Sequence, residues 1–153
     1  AAETLLYAPA FQGANKGYVF WQTKMPSSVT AADGTVKIVF KANEAEKPNI
    51  YNAQFIVPYN KGFKAGVKYR VEATVKSSTD LRVKLDISLN QNPWTSLIGK
   101  EFNLKADQAT PISLEFTPAK DITETYRIPQ LTLGMAQAGC TVEVSGVKLF
   151  EVK

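Results

Sequence analysis

Hydrophobic and polar residues alternate along most of this chain. Val67, Tyr69, Val71, Ala73 and Val75 fall on one face of residues 67–76, and Lys68, Arg70, Glu72, Thr74 and Lys76 on the other. Successive strand side chains point to opposite sides, so a period of two predicts an antiparallel strand with one buried face. Residues 81–90 repeat the pattern, with Leu81, Val83, Leu85, Ile87 and Leu89 expected inward and Arg82, Lys84, Asp86, Ser88 and Asn90 outward. The link Ser77-Ser78-Thr79-Asp80 reads as a hairpin loop. That would make the two strands neighbours, with Glu72 and Asp86 on outward faces close to Arg70, Arg82 and Lys84.

Further strands are predicted over 4–7, 18–22, 35–41, 50–57, 101–104, 112–116, 126–133 and 141–152. Turn signals at Ala32-Asp33-Gly34, Lys61-Gly62, Ala65-Gly66 and Ala138-Gly139 separate them. No window carries a helical stripe. About ten short strands at this spacing predict an all-β antiparallel sandwich. Gly66 turns the chain so that Tyr69 enters the core at a strand start. Pro129 cannot donate to a ladder, so it marks an edge or a bulge.

A length of 153 residues fits one domain over 1–153, large enough to bury a core unaided. Hydrophobic residues make up 44% and charged residues 21%, which are globular values. No apolar run approaches the length of a membrane span. The formal charge is +4, but most of the 18 cations are scattered lysines. Nucleic-acid binders cluster arginine on one face, so no nucleic-acid partner is expected. Histidine is absent, which removes the commonest general base and the Ser-His and Cys-His nucleophile pairs. Cys140 is alone and reads as a small buried hydrophobe. The chain opens Ala1-Ala2-Glu3, either a mature terminus after cleavage or an edge within a longer chain.

Catalysis finds little support. Glycosidases use two positioned carboxylates, whereas the acids here are dispersed and read as ion pairs on solvated faces. The aromatics say more. Phe40, Phe55, Tyr69, Phe116 and Phe150 have the phase of core residues, and Trp21 in "VFWQTK" is read as core rather than platform. Trp94 follows Pro93 in the polar stretch "NQNPWTS", where it is either a plug under the loop or a ring displayed for stacking. Tyr51 stands beside Asn49, Asn52 and Gln54, as a strand-edge tyrosine or as a sugar platform with amides at its flank.

From residue 50 to 152 the chain resembles the jelly-roll carbohydrate-binding modules of families 4, 9 and 22. The features that carry the resemblance are Tyr51-x-x-Gln54-Phe55, Gly66-x-x-Tyr69, the strand and polar loop "LDISLNQNPWTSLIGKEFNL", the ending "ISLEFTP", and "IPQLTLG" before "VEVSGVKLF". The resemblance implies a jelly roll whose concave sheet forms an open cleft for glycan chains. It maps sugar stacking onto Tyr51 and Trp94, and hydroxyl recognition onto Gln130 and Thr132. Gln54, Asn52, Gln22, Lys24 and Asn92 are lesser ligand-binding candidates. Such modules usually present Trp where this chain has Tyr51. They also often hold a structural calcium through an Asp-Asn-Val triplet and acids near the N-terminus. Here the triplet is Ser145-Gly146-Val147, which leaves Glu3 or Glu143 as substitutes and argues against an ion; no cofactor is expected.

The resulting expectation is a secreted, monomeric, non-catalytic module. It would bind plant cell-wall polysaccharide (β-1,4-linked xylan, β-glucan or cellulose chains) and tether a glycoside hydrolase in the same parent chain. The competing expectations are a structural or adhesion sandwich without a glycan site, and a small lyase or hydrolase. Ring exposure discriminates the first two: a module needs Trp94 and Tyr51 on one concave face. A carboxylate pair in that cleft would mark the third.

Overall fold

A computed structural model describes residues 2–13 and 16–153. Ala1, the residue at the candidate mature terminus, lies outside them. Eleven strands run in chain order: β1 Glu3–Tyr7, β2 Val19–Gln22, β3 Ser27–Ala32, β4 Thr35–Phe40, β5 Ala53–Tyr59, β6 Lys68–Ser77, β7 Leu81–Leu89, β8 Ser96–Leu104, β9 Thr110–Phe116, β10 Tyr126–Thr132 and β11 Thr141–Val152. The sole helical piece among the described residues is a 3-10 turn, Ile50–Asn52. The strands make two antiparallel sheets. One has the order β3-β4-β11-β6-β9, with β1 also on β11; the other has the order β2-β5-β10-β7-β8. This is the all-β jelly-roll sandwich that the alternation and the resemblance imply.

The core lies between the sheets. Tyr69, Val71, Ala73 and Val75 of β6 face Leu81, Val83, Leu85 and Ile87 of β7, all buried. Phe63 clusters with Tyr69 and Phe116 at ring separations of 4.9 and 5.1 Å, filling one end with large rigid apolar groups. Cys140 is buried and unpaired.

Three expectations need correction. Ser77–Asp80 is not a hairpin loop: β6 and β7 lie in different sheets, so this link carries the chain across the sandwich. Glu72 and Asp86 therefore sit on opposite outer faces. Phe150 is only partly buried and packs outward, its ring 4.7 Å below the Arg70 guanidinium. The reason is a bulge in β11, whose register shifts between Ser145 and Lys148 with Gly146 at φ 61°. The extra residue moves the inward set from Val142 and Val144 to Val147 and Leu149. Strand β3, "SSVTAA", was not expected; its small, weakly patterned residues form an edge that β4 pairs.

Candidate functional site

The outer face of the β2-β5-β10-β7-β8 sheet is a cleft of about 800 Å³. The register shows how it is floored. One row across the sheet is Trp21, Gln54, Thr132 and Lys84; the next is Val19, Ile56, Gln130 and Asp86; the third is Pro58, Arg127 and Ser88. Rows two residues apart along a strand are spaced by roughly 6.6 Å. Strand β10 is central, so Pro129 marks a bulge rather than an edge: the register slips between Arg127 and Gln130 against both neighbours. The slip turns two side chains three residues apart onto one face.

Three aromatic side chains border the cleft, and all are about half exposed: Trp21 at 48%, Tyr51 at 44% and Trp94 at 51%. Trp21 is thus not a core residue. In β2 both phases are apolar, and it is Phe20 that turns inward, toward Phe40. Tyr51 does not lie in a strand, although residues 50–57 were expected to be one. It belongs to the 3-10 turn, which the Asn49 side chain caps by accepting from Tyr51 N at 2.9 Å. Gly134 seats that turn. Its N–H donates to Ile50 O at 2.9 Å, and a Cβ there would come within 1.9 Å of Asn49 O.

Trp94 closes the other end of the cleft. Its N–H donates to Gln91 O at 2.7 Å, forming a turn that leaves Trp94 at φ 59°. This left-handed conformation is unfavourable for a bulky residue, and such outliers concentrate at functional sites. The Arg127 guanidinium lies 4.8 Å from the Trp94 ring centre. Its Nε donates to Asn90 Oδ1 at 2.8 Å, and its Nη1 to Gln54 Oε1 at 2.9 Å and Gln130 Oε1 at 2.6 Å. Burial lowers the pKa of this guanidinium from its ordinary value.

A second charged group lies toward Tyr51. Lys84 Nζ donates to the Tyr51 hydroxyl at 3.1 Å and sits 3.7 Å from Asp86 Oδ1. Its pKa is raised, chiefly by the tyrosine hydrogen bond and secondarily by the Asp86 charge, against the opposing effect of burial. Asp86 also accepts from Ser96 Oγ at 3.0 Å, while its Oδ2 is buried without a hydrogen-bond partner. Asp86 is the one carboxylate lining the cleft among the described residues, so the paired acids of a glycosidase are not present there.

The candidate residues separate by position. Tyr51, Trp94, Gln54 and Gln130 line the cleft. Asn52 and Lys24 line a separate hollow of about 600 Å³ beside it. Gln22 caps the turn after β2, accepting from Met25 N at 2.8 Å. Asn92 is exposed in the Trp94 loop. Thr132 is fully buried beneath the floor, its hydroxyl donating to Lys84 O at 3.2 Å. Sequence reasoning missed Arg127 and Trp21. The bulge that aims Arg127 was signalled by Pro129, but not the face it would choose.

The proposed calcium donors do not fit an ion. Glu3 is held by both terminal nitrogens of Arg70, and Glu143 lies between Lys37 and Lys76 in the register. Ser145-Gly146-Val147 forms the β11 bulge. The described residues contain no cluster of three acidic, cysteine or histidine side chains suited to a metal.

The profile of a carbohydrate binding domain family matches residues 4–128. No curated protein matches the chain. Among solved structures, one described as "CBM4 structure and function" is similar over 94% of each chain, with a TM-score of 0.73 and 21% identity. The N-terminal cellulose-binding domain of Cellulomonas fimi β-1,4-glucanase C is similar over 93% of each chain, at a TM-score of 0.65 and 18% identity. The CBM22-1 xylan-binding domain of Paenibacillus barcinonensis Xyn10C is similar over 99% of this chain and 97% of its own, at 0.66 and 10%. At these identities the likeness concerns the fold.

Proposed function

Because the chain belongs to the family of carbohydrate-binding domains matched over residues 4–128, we propose that its cleft holds a polysaccharide chain by ring stacking at Tyr51, Trp94 and Trp21. The amides of Gln54 and Gln130 act with them on sugar hydroxyls. One observation carries this reading: three half-exposed rings border a single cleft whose floor sets Gln54, Lys84, Arg127 and Gln130 among apolar side chains. Rigid aromatic faces offer large apolar area at low entropic cost, and preformed polar groups between them fix orientation. Such a module is non-catalytic. Residues 1–153 act together as a secreted, monomeric unit that tethers a glycoside hydrolase to its substrate.

The ligand class we favour is a β-1,4-linked xylan, β-glucan or cellulose chain. The solved relatives are described as cellulose-binding and xylan-binding domains, and a cleft open along the sheet admits a long chain. Affinity electrophoresis in gels containing xylan, mixed-linkage β-glucan or hydroxyethylcellulose tests this. At least one polymer should retard the protein, and Trp94→Ala should abolish that retardation. Unretarded migration in all three gels would overturn the reading.

A further inference from the structure

The protein has three arginines. Arg70 is paired with Glu3 and Glu72, and Arg82 with Glu101. Arg127 alone meets no carboxylate among the described residues, although it is the one in the cleft. Its surroundings are neutral: three amide oxygens occupy Nε and both hydrogens of Nη1, and the Trp94 ring lies against it. The two N–H groups of Nη2 take no protein acceptor among the described residues. The other cation in the cleft, Lys84, is matched by Asp86. The cleft therefore carries one uncompensated positive charge, fixed at the Trp94 end, one row along from the Lys84-matched Asp86.

We infer that the cleft selects an acidic glycan, with a uronic acid carboxylate seated on Arg127 Nη2 beside the Trp94 ring. This rests on the glycan-binding reading above and names the chemical class that this site prefers. A partly desolvated guanidinium, already oriented by three acceptors, has lost much of its hydration before ligand arrives. A carboxylate then gains a charge-assisted hydrogen bond with little further ordering of the protein. Neutral hydroxyls would leave that charge unmatched. Asp86, in the middle row beside Gln130, disfavours a carboxylate displaced from Arg127 toward the centre of the cleft.

The test compares each of three acidic polymers, glucuronoxylan, cellouronate and polygalacturonate, with its carboxyl-reduced counterpart. Affinities are measured by isothermal titration in about 0.15 M salt, where long-range attraction to a +4 protein is largely screened. At least one acidic polymer should bind about tenfold or more tightly than its reduced form, the gain expected of one charge-assisted contact. Arg127→Gln should bring that ratio close to one, while Arg127→Lys should retain part of it. Lys148→Gln, exposed on the opposite sheet, removes the same charge and should leave the ratio unchanged. Circular dichroism confirms that the variants are folded. Equal binding of acidic and reduced polymers, or a ratio that survives in Arg127→Gln or falls equally in Lys148→Gln, overturns the inference and leaves the glycan-binding reading standing. Failure to bind any polymer, acidic or neutral, overturns both.

Discussion

The Trp94 indole lies with its ring centre 4.8 Å from the Arg127 guanidinium, so it rests on the cleft floor instead of plugging the core. Half of its surface stays in solvent. Trp94→Ala should then cost under about 1 kcal/mol of stability, as at ordinary surface sites. Its effect on binding should be far larger, because exposed aromatic anchors dominate recognition surfaces at roughly 2 kcal/mol or more, over tenfold in affinity. Titration with the best-retained polymer and a thermal melt on the same variant measure both. A large loss of thermal midpoint with normal binding would return Trp94 to the role of a plug.

The backbone at the same position gives a sharper comparison. Trp94 has φ 59°, a conformation that glycine adopts freely and alanine does not. Trp94→Gly should therefore be more stable than Trp94→Ala by about 1 kcal/mol, or roughly 2–4 °C in a chain of this size. Both should lose binding equally. Identical midpoints would show that the loop relaxes once the ring is gone.

Gly134→Ala tests the seat of Tyr51. The added methyl would meet Asn49 O at 1.9 Å and Ile50 O at 2.6 Å, and backbone carbonyls have no side-chain freedom with which to retreat. Forced expansion of a packed site costs about 1–3 kcal/mol. We expect a midpoint lower by several degrees together with weaker glycan binding, although residue 134 touches no ligand in this reading. Unchanged binding would mean that Tyr51 contributes little.

Lys84→Met removes the cation beside the buried Asp86 carboxylate. Lys84 is partly exposed, so solvent offsets part of the loss, and about 1–2 kcal/mol is expected rather than the full penalty of an orphaned buried charge. Adding Asp86→Asn should recover part of that stability, because the carboxylate that needed a partner is gone. Urea midpoints of the two single variants and the double variant form the cycle that decides it.

The Glu3–Arg70 pair should make the docking of β1 pH-dependent. The Arg70 hydrogen bond holds the Glu3 carboxyl below its ordinary 4.5. A carboxyl depressed in the folded state adds stability that is present above the unfolded value and disappears as pH falls through the folded one. The difference in thermal midpoint between the wild type and Glu3→Gln should be constant above about pH 5.5 and shrink steadily below about pH 4.5. A difference that does not change with pH would mean that the pair contributes by packing alone.

Strand content was legible because alternation is a local signal: each strand carries its own inside and outside. The partners of a strand are not local. Nothing in Ser77-Ser78-Thr79-Asp80 distinguishes a hairpin from a crossing between sheets, and the crossing is what occurs. Tyr51 and Trp94 could be found because each breaks its local pattern, one among amides and the other after a proline in a polar loop. Trp21 could not, since "VFWQ" is apolar in both phases. Arg127 was hidden by the bulge at Pro129, which resets the phase of β10 where the cleft is built. The β11 bulge misled the reading of Phe150 in the same way.

The position of β10 between β5 and β7 has a bearing on how the protein matures. Residues 53–59 and 81–89, which carry much of the cleft floor, do not pair with each other; they meet only through residues 126–132. In the opposite sheet β11, the last strand, likewise joins β4 to β6. A nascent chain emerging from the ribosome thus has the rings of Tyr51 and Trp94 long before it has a surface to hold them. Contacts so distant in sequence are slow to form, and the cleft floor is assembled only when residues 126–132 return to join residues 53–59 to residues 81–89.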